Sequence, residues 1–195
     1  MLNRRNYFIR EHVSHFKLKD TYDILDPEHN EHLGYATETT APWILWVRLL
    51  TKKRVAPMEL VVRALADEAQ ILRIARGWTF FSSTVDVFDA GNQKIGYFKS
   101  KLFSLGGGFH VYTPGGVQVA EIKGNWKGWD FKFLTSTGQE IGTVTKKWAG
   151  FGQELFTTAD NYIISLHDTA DQQEATSVLL LAAGLAIDTV FNEQG

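Results

Sequence analysis

Seventeen residues near the C-terminus, Ala175 to Phe191 (ATSVLLLAAGLAIDTVF), constrain the fold more than any other part of the chain. From Val178 to Ile187 every side chain is apolar or glycine, so a helix built from them is oily on all sides rather than along one stripe. Such a helix has to be surrounded. Its uncharged run, Ala175 to Ile187, is 13 residues. That is about 20 Å of helix at ~1.5 Å per residue, whereas a bilayer core needs roughly 20 residues. The run is too short to span a membrane unaided, so it reads as the buried core helix of a single domain covering residues 1–195.

The rest of the chain supplies extended segments to surround it. VDVFDAGNQKIGYF, HVYTPGGVQVAEI and FKFLTSTGQEIGTV share one template. Each has an extended run, a polar turn opener (Asp89, Thr113, Thr135) and, six residues later, an apolar residue followed by Gly or Ala (Ile95-Gly96, Val119-Ala120, Ile141-Gly142). YDILDPEHNEHLGYA is a fourth copy with one extra residue between Asp26 and Leu33. Each copy predicts a β-hairpin whose Gly or Asn supplies the positive φ of a tight turn. MELVVRAL and QILRIAR predict a further hairpin, and RNYFIREH and NYIISL predict single strands. About a dozen strands and one all-apolar helix fit a mainly β fold, a closed antiparallel barrel with the helix at its centre. A two-layer sandwich would leave one side of that helix wet.

Asp188 is the exception in the helix. A carboxylate near a helix C-terminus opposes the helix dipole and, if buried, needs a donor. An Arg, a strand hydroxyl or backbone amides at the barrel end are expected to hold it.

Conventional catalysis has no residues to rest on. The chain contains no cysteine, which removes thiol chemistry, disulfides and zinc thiolate sites and fits a reducing cytoplasm. There is no GxSxG elbow, no phosphate-binding GxxxxGK[ST] loop and no GxGxxG following a strand. Gly106 to Gly108 read as a flexible link. The expectation is a protein that is not an enzyme and carries no cofactor. A net charge of -2 argues against a nucleic-acid partner. No Lys or Arg follows Lys147, so the last 48 residues carry -7 and the first 147 carry +5. That asymmetry predicts either two faces of opposite sign or mutual neutralisation within the fold. The N-terminus, MLNRRNYFIREHV, has no apolar h-region and does not read as a secretory signal.

Two pairs of the form HxxH occur, His12 with His15 and His29 with His32. On a strand, i and i+3 point to opposite faces, so the first pair is poorly placed to chelate. The second lies in the DPEHN turn and reads as solvated.

PWILWVRLL, with Trp43, Trp46 and Leu50 at helical spacing and Pro42 in the first turn, predicts a short helix ending near Lys52, Lys53 and Arg54. Interfacial aromatics beside a basic cluster make Trp43, Trp46, Arg48, Lys52, Lys53 and Arg54 a candidate contact with anionic lipid. The competing reading, favoured by the shortness of the segment, is a plug for one barrel mouth with tryptophans inward and lysines in water.

One segment carries a specific signature. Lys146, Trp148, Gly150, Glu154, Phe156-Thr157 and Ala159-Asp160-Asn161, together with Ile187-Asp188, resemble the pattern of the phospholipid scramblases and the related LURP-one-related proteins, whose fold is that of the Tubby C-terminal domain. The resemblance covers almost the whole chain. It implies a twelve-stranded barrel around a hydrophobic C-terminal helix, with structural roles for Trp148, Gly150, Phe156 and Asp160. It also implies a calcium segment at Asp160, Asn161 and Asp168, but Thr158 and Thr169 stand where the family pattern has carboxylates. Calcium prefers six to eight oxygen ligands with several carboxylates, so calcium binding is not expected here. The family's cysteine-rich and proline-rich stretches have no counterpart. The function implied is phospholipid or partner binding at the cytoplasmic face of a membrane. Transbilayer lipid movement and a soluble ligand-binding or scaffolding barrel are the alternatives, and oligomeric state is left open.

Overall fold

The computed structural model describes residues 2, 4–12, 20–50, 55–79, 83–100, 108–125, 128–146, 161–167 and 174–191. Twelve strands form in chain order: β1 (Asn6–Glu11), β2 (Thr21–Leu25), β3 (His32–Glu38), β4 (Met58–Ala64), β5 (Gln70–Arg76), β6 (Thr84–Asp89), β7 (Lys94–Ser100), β8 (Gly108–Tyr112), β9 (Gln118–Asn125), β10 (Asp130–Leu134), β11 (Glu140–Thr145) and β12 (Tyr162–Leu166). Each is antiparallel to its neighbours in sequence. β1 closes the sheet on β12 through Asn6↔Ser165 to Ile9↔Tyr162. Closure leaves no strand edge to template pairing with another chain.

The hairpin repeat is visible in the turns atom by atom. Asp89, Thr113 and Thr135 each accept the amide of the residue four places on through a side-chain oxygen, at 2.9, 3.1 and 3.1 Å. Each also accepts the amide three places on through its carbonyl, at 3.1, 3.0 and 3.0 Å. The residues making those turns possible are Asn92, Gly116 and Gly138, with φ of 60°, 84° and 84°. Asn30, at φ 53°, serves the fourth copy, where Asp26 Oδ1 takes the Glu28 amide at 2.8 Å. The register slips at each such turn, between Ile24 and Leu25, Val87 and Phe88, Val111 and Tyr112, and Phe133 and Leu134. This is the bulge expected of a type I turn closed by a left-handed residue.

Alternate side chains then face inward. Tyr7, Ile9, Tyr22, Ile24, Leu60, Val62, Leu72, Ile74, Val85, Val87, Phe98, Phe109, Val111, Ile122, Phe131, Phe133 and Ile164 are all buried in one core. At its centre runs α2 (Glu174–Phe191), packed against β5, β6, β7 and β12. Leu179 to Ala183 and Leu185 to Ile187 are at most 2% exposed, so burial extends right round the helix. Each enclosed Leu or Ile contributes roughly 1.5 to 3 kcal/mol.

Gly96, the small residue of one hairpin copy, makes room for this helix. A Cβ on Gly96 would lie 2.6 Å from the Tyr112 carbonyl oxygen and 2.7 Å from Leu179 Cδ2. Because Gly96 follows closely on the β6–β7 turn, the contact also shows that α2 enters by the end carrying the short turns. A second, smaller apolar cluster, Phe8, Leu25 and Ile163, is buried on the outer side of the β1, β2 and β12 seam. The remaining helix, α1 (Pro42–Leu50), connects β3 to β4 and has Pro42 in its first turn as expected.

Candidate functional site

The two ends of the barrel are built differently. One carries the short turns 26–31, 65–69, 90–93, 113–117 and 135–139. The other carries the connections 12–20, 39–57, 77–83, 101–107, 126–129 and 146–161. The four described tryptophans, Trp43, Trp46, Trp78 and Trp129, belong to connections of the second end.

α1 projects its tryptophans outward. Trp43 and Trp46, at i and i+3 on one face, are 59% and 72% exposed, while Ile44 is buried. The expectation of an inward-facing tryptophan plug is therefore overturned. The reason lies in composition: PWILWVRLL is apolar at every position but Arg48. Such a helix has two apolar faces and needs only one to dock. The face with Ile44 and the half-buried Val47 meets the protein, and the indoles are left outside. Trp78, which the sequence reading did not single out, is also exposed, at 47%. Its segment is tied to the chain leaving α1, with the Thr79 amide donating to the Val55 carbonyl at 3.0 Å. Arg76, buried at the end of β5, donates through Nη2 to the Ala56 carbonyl at 3.4 Å. Of the basic candidates, Arg48 has its backbone in α1. Lys52, Lys53 and Arg54 lie outside the described residues, directly after it in sequence.

A different tryptophan lies against the core at this end. Trp129 stacks on Tyr162 with ring centroids 5.0 Å apart and meets Phe131 edge-on at 6.5 Å. Lys146 Nζ sits 4.5 Å from its ring centroid. Trp129 holds φ 46°, an uncommon backbone state for a bulky residue. Lys146, part of the signature segment, thus has a structural partner that sequence spacing does not reveal.

The histidines are also paired differently from the HxxH reading. Asp23 on β2 is buried and lies 2.7 Å from Arg10 Nη2, 2.7 Å from His12 Nε2 and 3.6 Å from His32 Nε2. The β1–β2 and β2–β3 registers bring His12 and His32, one from each sequence pair, to a single carboxylate. Burial pushes the Asp23 carboxyl up, but the hydrogen bonds from Arg10 and His12 and the nearby histidine charges outweigh it and hold the group below its ordinary value. Asp26 follows the same pattern. Burial raises it, and the Glu28 and His29 amides, the His29 ring and Arg4 more than offset this. Arg4 Nη1 is 2.9 Å from Asp26. Both clusters clamp the N-terminal segment to the β2 hairpin and are structural.

Trp148, Gly150, Phe156, Asp160 and Asp168 lie outside the described residues. Asp188 contributes its backbone to α2, and Asn161 is buried immediately before β12. Among the described residues, no group of three or more His, Asp or Glu is arranged to hold a metal ion. Of the residues that the resemblance offers for calcium, Asp160 and Asp168 lie outside the described residues. Among the described residues, no helix is long and apolar enough to cross a membrane.

Comparison with known proteins adds one finding. The family model described as Scramblase matches residues 5–194. Nothing among curated proteins and nothing among solved structures matches.

Proposed function

The chain belongs to the scramblase family, and on that premise we propose that it is a non-enzymatic barrel that binds anionic phospholipid at the cytoplasmic face of a membrane. The observation that supports this reading is the outward-facing pair Trp43 and Trp46, followed within eight residues by Arg48, Lys52, Lys53 and Arg54. Indole rings favour the headgroup boundary, where an apolar ring and a polar N–H are both satisfied. Each Lys or Arg close to an anionic leaflet adds about 1 kcal/mol, within a Debye length. Four such residues contribute about 4 kcal/mol, roughly a thousandfold in affinity, and that term falls as salt rises. The contact is peripheral and reversible. Its chemistry is recognition, and no step in it requires calcium.

Co-sedimentation with vesicles containing phosphatidylserine tests the site. The triple variant Lys52→Glu, Lys53→Glu, Arg54→Glu is expected to lose most of its pelleting at low salt. Equal pelleting of wild type and variant would remove the basis for the site.

Family membership also raises transbilayer lipid movement as a second reading. α2 is enclosed by strands on all sides, so a lipid path through it requires the barrel to open or to associate with further copies. A dithionite assay on proteoliposomes, with and without calcium, separates the two. Accelerated bleaching supports movement, and unchanged bleaching in both conditions leaves binding alone.

A further inference from the structure

We propose that Arg10, His12, Asp23 and His32 form a proton-operated clasp on the outer wall, in which acid expels His32 and unfastens β3 from β1, the strand that closes the barrel. The clasp stands independently of the lipid-binding reading above.

Three strands meet in it. Arg10 lies opposite Asp23 in the β1–β2 register, His12 follows directly after β1, and His32 opens β3 opposite Leu25. Asp23 Oδ2 accepts Arg10 Nη2 at 2.7 Å, Arg10 Nε at 3.2 Å and His12 Nε2 at 2.7 Å. His32 Nε2 lies 3.3 Å from Arg10 Nη2 and 3.6 Å from Asp23 Oδ2. The guanidinium therefore touches the β2 carboxylate and the β3 ring at once, and it carries the connection from β1 to β3.

Donor counting sets the two histidines apart. A guanidinium has N–H donors and no acceptor, so the Arg10–His32 contact is a hydrogen bond only while His32 is neutral, with its proton on Nδ1 and a lone pair on Nε2. His12 has to present an N–H at Nε2 to reach Asp23, which the neutral ring and the imidazolium both can do. A carboxylate oxygen has two lone pairs, and Asp23 Oδ2 already takes three donors. A protonated His32 has no place left on it and meets Arg10 donor to donor.

Charge acts in the same direction. With both rings neutral, Arg10 and Asp23 cancel. With both protonated, Arg10, His12 and His32 surround one carboxylate, three positive groups against one negative. Asp23 does not relieve this by taking the proton itself: burial raises its carboxyl, but the hydrogen bonds from Arg10 and His12 outweigh burial and hold it below its ordinary value. Imidazole is the side chain that changes charge between about pH 5 and 8. The Arg10–His32 contact is present on the alkaline side of that interval and lost as pH falls through it.

The other charged groups of this wall have their own places. On the turn before β3, Asp26 lies 2.9 Å from Arg4 Nη1 and 3.5 Å from His29 Nδ1, and Glu31 lies 3.2 Å from Arg4 Nη2, with Glu28 exposed beside them. Tyr35 stands opposite Asp23 on β3, and Arg63 opposite Tyr35 on β4. On the β12 side, Asn6 and Phe8 pair with Ser165 and Ile163. Once His32 leaves, Asp23 still joins β1 to β2, and β3 has lost its side-chain tie to the closing strand.

Two measurements on the whole chain test the clasp. Heteronuclear NMR of the imidazole nitrogens at about pH 8, the alkaline limit of the interval, is expected to find the His32 proton on Nδ1 and the His12 proton on Nε2. Hydrogen exchange of the β1, β2 and β3 amides, corrected for the intrinsic rate, is then compared at about pH 8 and about pH 5. Wild type is expected to open several-fold more often at the acid limit. His32→Gln and Arg10→Gln, which remove the titrating ring and the repelling cation, are expected to open equally often at both, and His12→Gln to keep the acid response. A His32 proton on Nε2 at the alkaline limit would overturn the proposal, and so would an acid response of wild-type size in His32→Gln or in Arg10→Gln.

Discussion

Replacing Leu180 with Ala is the most informative test of the enclosed helix. Leu180 is 0% exposed, as are Ala182, Ala183, Leu185 and Ala186 around it, and strands β5, β6, β7 and β12 pack against the helix. Truncation removes three buried methyl or methine carbons and leaves a cavity that a closed barrel cannot collapse into, because its strands are fixed by hydrogen bonds on both sides. Leu-to-Ala changes at such sites cost about 3 to 5 kcal/mol. In a domain of this length each kcal/mol shifts the melting temperature by about 2–4 °C. The expected fall is therefore on the order of 6–20 °C by calorimetry in detergent-free buffer. Val117→Ala, at a 64% exposed position, serves as control and is expected to stay within about 0.5 kcal/mol of wild type. If Leu180→Ala melted within about 2 °C of wild type, the helix would not be packed inside the barrel, and its oily surface would need another partner.

Gly96→Ala places a methyl against the Tyr112 carbonyl and Leu179 and is expected to cost about 1–3 kcal/mol. A double-mutant cycle with Leu179→Ala should recover only part of that, since the carbonyl stays in place, and an unchanged urea midpoint for Gly96→Ala would refute the contact. Asp23 and Asp26, held below their ordinary 3.8, contribute stability that is present above that value and lost as pH falls through their lower folded values. The stability curves of wild type and Asp23→Asn should therefore converge below about pH 4, and parallel curves would contradict the ion-pair account. Burial pushes the Tyr7 hydroxyl up to about 12, against the opposing pull of the Arg5 and Arg4 charges, and its O–H donates to the Arg4 carbonyl at 2.8 Å. Its contribution is present below pH ~10 and is lost as pH rises toward the folded value. Ultraviolet difference titration should show tyrosine ionisation near pH 12 that Tyr7→Phe reduces, and an unchanged titration in that variant would refute the assignment.

How much of this was legible in the sequence depended on whether the relevant interaction was local. The hairpins were, because Asp89, Thr113 and Thr135 fold their own turns within five residues and Asn92, Gly116 and Gly138 supply the backbone state those turns need. The enclosed helix was, because no one-sided environment suits Val178 to Ile187. The direction of Trp43 and Trp46 was not, since α1 is apolar on both faces and spacing alone cannot choose between them. The meeting of His12 and His32 at Asp23 was hidden for another reason. It depends on the register of three strands, which fixes neighbours 9 to 20 residues apart in the chain. The exposure of Trp78 was hidden as well, because it depends on the order of strands that assigns its connection to an end.

The central claim is that the outward tryptophans of α1, with the basic residues that follow them in sequence, hold this barrel to an anionic membrane. Co-sedimentation of wild type and of the double variant Trp43→Ser, Trp46→Ser with phosphatidylserine-containing vesicles at low salt tests it most directly. Wild type is expected to pellet and the double variant to remain in solution, with both melting at the same temperature because the two side chains are exposed. Pelleting of the double variant to the same extent as wild type, or wild type remaining in solution, would contradict the account.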